Sequence, residues 1–114
     1  MKAAVTVKEN GTFRRIYRKG KSAVAPCMVV YCQKNRQGQS RLGVTVSTKL
    51  GGAVVRNRVK RQLREMYRAH KEEMLPGYDV IIVARSRAVK TAYRKMDEQY
   101  TARLRELSLW GAGE

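Results

Sequence analysis

The first 64 residues of this 114-residue chain contain a single acid, Glu9, against 16 lysines and arginines. That scarcity excludes from the whole half a carboxylate cluster of the kind a two-metal nuclease site needs. Histidine occurs once, as His70, and cysteine twice, as Cys27 and Cys32. Three such residues do not supply the four ligands of a structural zinc site, and His70 has no evident partner for acid–base chemistry. The two cysteines lie in an apolar run that reads as a strand. Their offset puts them on opposite faces, where they cannot pair. They read as buried free thiols, in a reducing cytoplasm. No apolar stretch approaches the ~20 residues that span a bilayer. Residues 1–6 lack the apolar core of a signal peptide. Internal repeats and low-complexity linkers are missing as well.

What is present is a folded composition. Hydrophobic residues make up 43% and charged residues 30%, whereas a disordered basic tail would be far poorer in apolar residues. The length fits one domain, residues 1–114, able to bury one modest core without disulfides or metal. The net charge is +16. A charge this large repels itself and points to a polyanionic partner. It is also uneven: residues 65–114 carry 9 basic and 8 acidic residues and are almost neutral. A surface charged only for solubility would mix its signs along the chain, so the binding surface is expected in the first half.

Hydrophobic periodicity predicts a short helix over 9–19, with Phe13, Ile16 and Tyr17 at helical spacing, Asn10 or Thr6 as cap and Gly20 as stop. Strands are expected at 27–33 and 41–47, joined across the polar turn 34–40 as an antiparallel hairpin. Gly51-Gly52 breaks the chain, and 52–55 is a candidate short third strand. A helix over 54–71 follows, with Val55, Val59, Leu63, Met66, Tyr67 and His70 as its apolar stripe. After the Pro76-Gly77 turn, 79–85 contains the continuous apolar run Val80-Ile81-Ile82-Val83-Ala84 of a fully buried strand. A last helix is expected over 88–108, with Val89, Tyr93, Met96, Tyr100, Leu104 and Leu107 buried. The order is α-β-β-(β)-α-β-α, which predicts a sheet covered by helices.

The central helix carries the strongest functional signal. At about 100° per residue, Arg56, Arg58, Lys60, Arg61, Arg64 and Arg68 fill the arc opposite the apolar stripe, and Asn57 lies near its middle. No acid precedes Glu65 on this helix, whereas a solvated helix would interleave glutamates for i,i+4 pairing. A row of guanidinium forks around an amide suits phosphate oxygens and base edges. A second, weaker signal is the pair Phe13 and Tyr17, interleaved with Arg14, Arg15 and Arg18, with Tyr31 on the first expected strand. Unpaired bases stack on such aromatics. Residue type alone leaves Phe13, Tyr17 and Tyr31 between binding surface and core, and an i,i+4 aromatic pair is more commonly core. His70 and Trp110 read as structural, and Asp97, Glu98 and Glu106 as solubilising.

Residues 46–65, Val46-Ser47-Thr48-Lys49-Leu50-Gly51-Gly52-Ala53-Val54-Val55-Arg56-Asn57-Arg58-Val59-Lys60-Arg61-Gln62-Leu63-Arg64-Glu65, resemble the signature of the bacterial ribonuclease P protein family. The hallmark is Arg56-Asn57-Arg58 followed by Lys60-Arg61 and Arg64. The resemblance continues through residues 13–20 and 79–85 and covers roughly 7–108. Thr48 and Gly52 depart from it, at positions where the family often has Lys and Asn. The resemblance implies an α/β two-layer sandwich with a four-stranded mixed sheet and a left-handed βαβ crossover through the basic helix. It implies a noncatalytic subunit of a ribonucleoprotein endonuclease that removes the 5′ leader of precursor tRNA with Mg²⁺, and no catalytic residues in this chain. It assigns Arg56, Asn57, Arg58, Lys60, Arg61 and Arg64 to the catalytic RNA. It assigns Phe13, Arg14, Tyr17, Arg18, Tyr31, Ser47, Lys49 and Arg85 to the single-stranded leader. Composition alone would also allow a ribosomal-type basic RNA-binding module. A DNA-binding regulator would need a recognition helix and usually a dimer. A membrane-surface helix would need an exposed Trp or Phe anchor. Neither pattern is found.

Overall fold

The computed structural model describes residues 6, 7, 9–36 and 38–111. Helix α1 (Asn10–Lys19) leads into strands β1 (Lys21–Val24), β2 (Met28–Lys34) and β3 (Arg41–Thr45). Helix α2 (Ala53–His70), strand β4 (Tyr78–Ala84) and helix α3 (Tyr93–Glu106) follow. Short 3-10 turns at Thr48–Leu50, Lys71–Glu73 and Ser86–Val89 join the later elements. The strands form one mixed sheet in the order β1-β2-β4-β3, with β4 antiparallel to β2 and parallel to β3. This is the expected α/β sandwich with a four-stranded mixed sheet.

The expected hairpin between the second and third strands does not form. β4 lies between them, because its unbroken apolar run can be buried on both faces, and Val80, Ile81 and Ile82 are all at most 1% exposed. The additional strand is not 52–55 but Lys21–Val24, which pairs with β2. Ala53, Val54 and Val55 instead make the first turn of α2. The last helix begins at Tyr93 rather than 88, so Val89 and Tyr93 fall outside its buried stripe, while Met96, Tyr100 and Leu104 are fully buried. Neither Asn10 nor Thr6 caps α1. Glu9 holds that position through its backbone carbonyl, and Thr6 makes a parallel bridge to Leu42 on the edge of β3.

One sheet face packs on α2 and α3. Val59, Leu63, Met66 and Tyr67 from α2 and Met96, Tyr100 and Leu104 from α3 meet Met28, Val30, Cys32, Leu42, Val80 and Ile82. Cys27 and Cys32 are both free and both belong to this core, so the expected opposite placement fails. Cys27 lies just before β2, outside the strand's alternation, where its backbone N–H donates to Gln99 Oε1 at 2.9 Å. Two polar features lock the frame. Asp79, 1% exposed, accepts from Arg41 Nε at 2.8 Å, Arg41 Nη2 at 2.7 Å and Asn35 Nδ2 at 2.9 Å. His70 Nε2 lies 2.6 Å from Asp97 Oδ1, and its ring lies 5.5 Å from that of Trp110. Asp97 therefore joins α2 to α3 rather than serving only solubility.

Burial sets the alkaline behaviour of this core. Desolvation raises the Cys27 and Cys32 thiols above their ordinary 9.0. It pushes Tyr67 up to about 12, aided by the charge of Asp79, and raises Tyr100 well above 10. The folded chain thus holds protons that the unfolded chain has released, so stability is full below about pH 9 and falls as pH rises. The Tyr67 hydroxyl has no hydrogen-bond partner among the described residues. Tyr67→Phe should therefore keep full stability at neutral pH and lose less than wild type between about pH 10 and 12. Urea denaturation across that range checks this. A variant that is weaker at pH 7 and equally pH-sensitive would contradict it.

Candidate nucleic-acid interface

Helix α2 turns its apolar stripe to the sheet and leaves Asn57, Arg58, Arg61 and Arg64 exposed, with Arg56 and Lys60 half-buried. Among the described residues none of these cations pairs with a carboxylate. Two are oriented by the backbone. Arg56 Nε donates to Gly51 O at 3.1 Å, and Arg58 Nη2 donates to Val89 O at 3.0 Å. Each fork keeps further donors for an outside acceptor. Gly51, at φ 144°, supplies the backbone turn between the 3-10 turn and α2 that brings its carbonyl to Arg56.

The second sheet face is only partly covered. Its rows, read across the strands, are Gln33–Asp79–Arg41, then Ser22–Tyr31–Ile81–Gly43, then Val24–Val29–Val83–Thr45. α1 lies on the middle row. Ile16 is fully buried, and Phe13 is half-buried against Gly43. A Cβ at Gly43 would stand 2.8 Å from the Phe13 ring, so this strand position must lack a side chain for the helix to seat. Tyr17 and Tyr31 meet edge to face at 4.9 Å and 72°, and the Tyr17 hydroxyl lies 3.2 Å from Thr45 Oγ1. Tyr17 is still 38% exposed, and Tyr31 is half-buried. The last row stays open, with Val24 59% exposed and Val29, Val83 and Thr45 half-buried.

Most sequence-derived candidates converge on the end of that open row. Arg14 and Arg18 are exposed on α1 and line a shallow groove with Tyr17. Ser47 and Lys49 follow the end of β3, and the Ser47 hydroxyl accepts from the Lys49 N–H, capping that turn. Arg85 follows the end of β4, and its Nη1 donates to Ala25 O at 2.9 Å. Arg58 reaches the turn just after Arg85, so the basic helix and the open row share one end of the sheet. Arg64 is placed apart from them: with Arg68 it lines a groove over Phe13, Leu42 and Val44. The residues that sequence reasoning missed are Val24, Val29, Val83 and Thr45. They become a row only through the strand order, which no local pattern announces.

An α/β sandwich with a basic helix face, whose cations pair with no carboxylate among the described residues, beside a partly exposed aromatic row defines an RNA-binding protein. The Ribonuclease P family model matches residues 1–108, and the chain belongs to that family. It is 38% identical to the ribonuclease P protein component of Alkaliphilus oremlandii over 96% of both chains. It is 41% identical to that of Natranaerobius thermophilus over 88% of this chain and 87% of the relative. The Staphylococcus aureus ribonuclease P protein superposes with a TM-score of 0.85 at 36% identity, covering 95% of this chain and 99% of that one. The Thermotoga maritima protein superposes with a TM-score of 0.77 at 29% identity, covering 85% and 92%. The chain is thus the protein subunit of an endoribonuclease that matures the 5′ end of tRNA, and it works with ribonuclease P RNA.

The seat of α1 makes a direct prediction. Gly43→Ala must push the Phe13 ring off β3, with Ile81 Cγ1 at 3.3 Å closing the other side. Overpacking of this kind costs about 1–3 kcal/mol, readable by urea denaturation. Wild-type stability in this variant would show that α1 does not depend on that contact.

Proposed function

We propose that the subunit holds two RNA elements that meet at one end of its sheet, with Arg64 extending the helix contact away from that end. Arg56, Asn57, Arg58, Lys60, Arg61 and Arg64 bind the backbone of the catalytic RNA. Phe13, Tyr17 and Tyr31 stack unpaired bases of the precursor tRNA leader, while Arg14, Arg18, Lys49 and Arg85 hold its phosphates and Ser47 shapes the turn that presents Lys49. The observation that carries this reading is the Tyr17–Tyr31 pair, left partly exposed where α1 borders the open row Val24–Val29–Val83–Thr45, beside cations with no acidic partner among the described residues. Stacking on aromatics combined with a basic track is the common solution for unpaired strands. The chain's own donor set fits Mg²⁺ poorly: Asp79 is already clamped by Arg41 and Asn35, and Glu73 and Asp97 are turned onto His70. In this reading Mg²⁺ is used by the RNA–protein complex, and this chain's work is binding and positioning. A cytoplasmic location fits the two free thiols.

The helix face is tested by salt dependence. Lys60→Ala and Arg61→Ala are the clean variants, since Arg56 and Arg58 also brace the backbone. Each lost phosphate contact should flatten the log–log salt slope for catalytic-RNA binding by about 0.7–0.9. Slopes equal to wild type would make this face a solvated one.

The aromatic row is tested by Tyr17→Ala and Tyr31→Ala in the holoenzyme. Affinity for precursor tRNA should fall by about 1–3 kcal/mol per base unstacked, with mature tRNA and the melting temperature unaffected. A lowered melting temperature with the preference for precursor intact would return both rings to a packing role.

A further inference from the structure

We propose a second single-stranded RNA site at the opposite end of the sheet, on the other flank of α1, which takes the part of the 5′ leader lying beyond the aromatic row. This rests on the leader reading above. Arg15, Lys19, Lys34 and Arg36 are all exposed there and line one groove with Gln33 and Arg41. Among the described residues none of the four exposed cations pairs with a carboxylate. Of the nearby acids, Asp79 is buried and already held by Arg41 and Asn35, and Glu9, whose charge also acts on Arg41, is one carboxylate against four exposed cations, so the groove stays strongly positive. Four like charges gathered in one groove repel one another, and an outside polyanion offsets that repulsion. Ammonium groups on flexible stems act as point charges for phosphate.

The groove suits an unpaired strand because it extends the sheet face that carries Tyr31. A basic groove tracks the backbone of such a strand, and the Gln33 side chain, which accepts from Arg15 Nε at 3.4 Å, keeps its amide N–H donors for a base edge. Position favours the leader over the catalytic RNA. Val29, Tyr31 and Gln33 alternate on one face of β2, so the new groove lies on the same face as the aromatic row, about 7 Å along the strand from Tyr31. Ser22, on that face, and Arg18 and Lys19, at the end of α1, are all exposed between the two. The proposed catalytic-RNA contacts Arg56 and Arg58 lie at the far end, tied to Gly51 and Val89.

The test is the triple variant Lys19→Ala, Lys34→Ala, Arg36→Ala in the holoenzyme. All three side chains are exposed, so stability should be nearly unchanged, and a thermal melt confirms that. Affinity is measured for mature tRNA and for precursors whose leaders are lengthened stepwise. Wild type should gain affinity as the leader outgrows the aromatic row. The variant should lose about tenfold for long leaders only, with its salt slope lower by about 2, as expected for three single-strand phosphate contacts. Equal affinities of variant and wild type at every length, with Tyr17→Ala still impaired, would overturn the second site and leave the aromatic row standing. Weaker binding of the variant to the catalytic RNA alone would assign the groove to that RNA and overturn the proposal. Wild type that does not distinguish precursor from mature tRNA would remove the aromatic row and the second site together.

Discussion

Asp79 begins the apolar part of the central strand and is the one carboxylate of the described chain that is fully buried. Leaving it unpaired would cost about 3–5 kcal/mol, so the fold is constrained to bring Arg41 and Asn35 to it. Arg41 lies directly across from Asp79 on β3, and Asn35 closes the end of β2. The clamp therefore sets which strands flank β4 and in which register. A slip of one residue would reverse the faces of Val80, Ile81 and Ile82 and break the carboxylate's bonds in the same step. The proposed leader surface follows from that register. It aligns Val24, Val29, Val83 and Thr45 into one row, and it places Gly43 opposite Ile81, where Phe13 can lie down.

The distribution of charge follows the same geometry. The almost neutral second half of the chain supplies β4 and α3. The acid-poor first half supplies α1, the edge strands β1 and β3 and most of α2, whose outer faces carry the charge, and also the internal strand β2, whose Met28, Val30 and Cys32 join the core. The few ion pairs lie mainly on α3 and around His70. A nearly uncompensated surface of one sign is tolerable in a small domain because the core beneath it is continuous and carries almost no buried charge.

How much could be read from the sequence depended on how local the cause was. α2 was legible because its apolar stripe repeats over several turns, and its basic face because glutamates are missing where they would ordinarily pair. β4 was legible from its unbroken apolar run. The pairing partners were not. A polar turn between two apolar runs looks like a hairpin, and nothing within residues 28–47 reveals that a strand from residue 78 onward will separate them. β1 is four residues with only Ala23 buried, too short to show alternation. Val54 and Val55 favoured a strand by their branching, yet at the start of α2 Val54 is 85% exposed, so its strand preference competes with no packing at all. The aromatics could be proposed from residue type, but whether Tyr17 and Tyr31 face solvent depends on how far α1 covers the sheet, and that is decided by Gly43 and the strand order.

The tethers at the two ends of α2 have a consequence for association. Arg56 and Arg58 fasten the start of the helix to Gly51 and Val89, and His70 fastens its end to Asp97 and packs on Trp110. A basic helix left free would lose side-chain and backbone freedom on meeting a polyanion, and its affinity would be reduced by that amount. Here the forks are already aimed and the helix already fixed, so most of that disorder is lost when the chain folds. On the function proposed above, the helix docks as a rigid template, and the RNA that fits it is selected by the spacing of its phosphates.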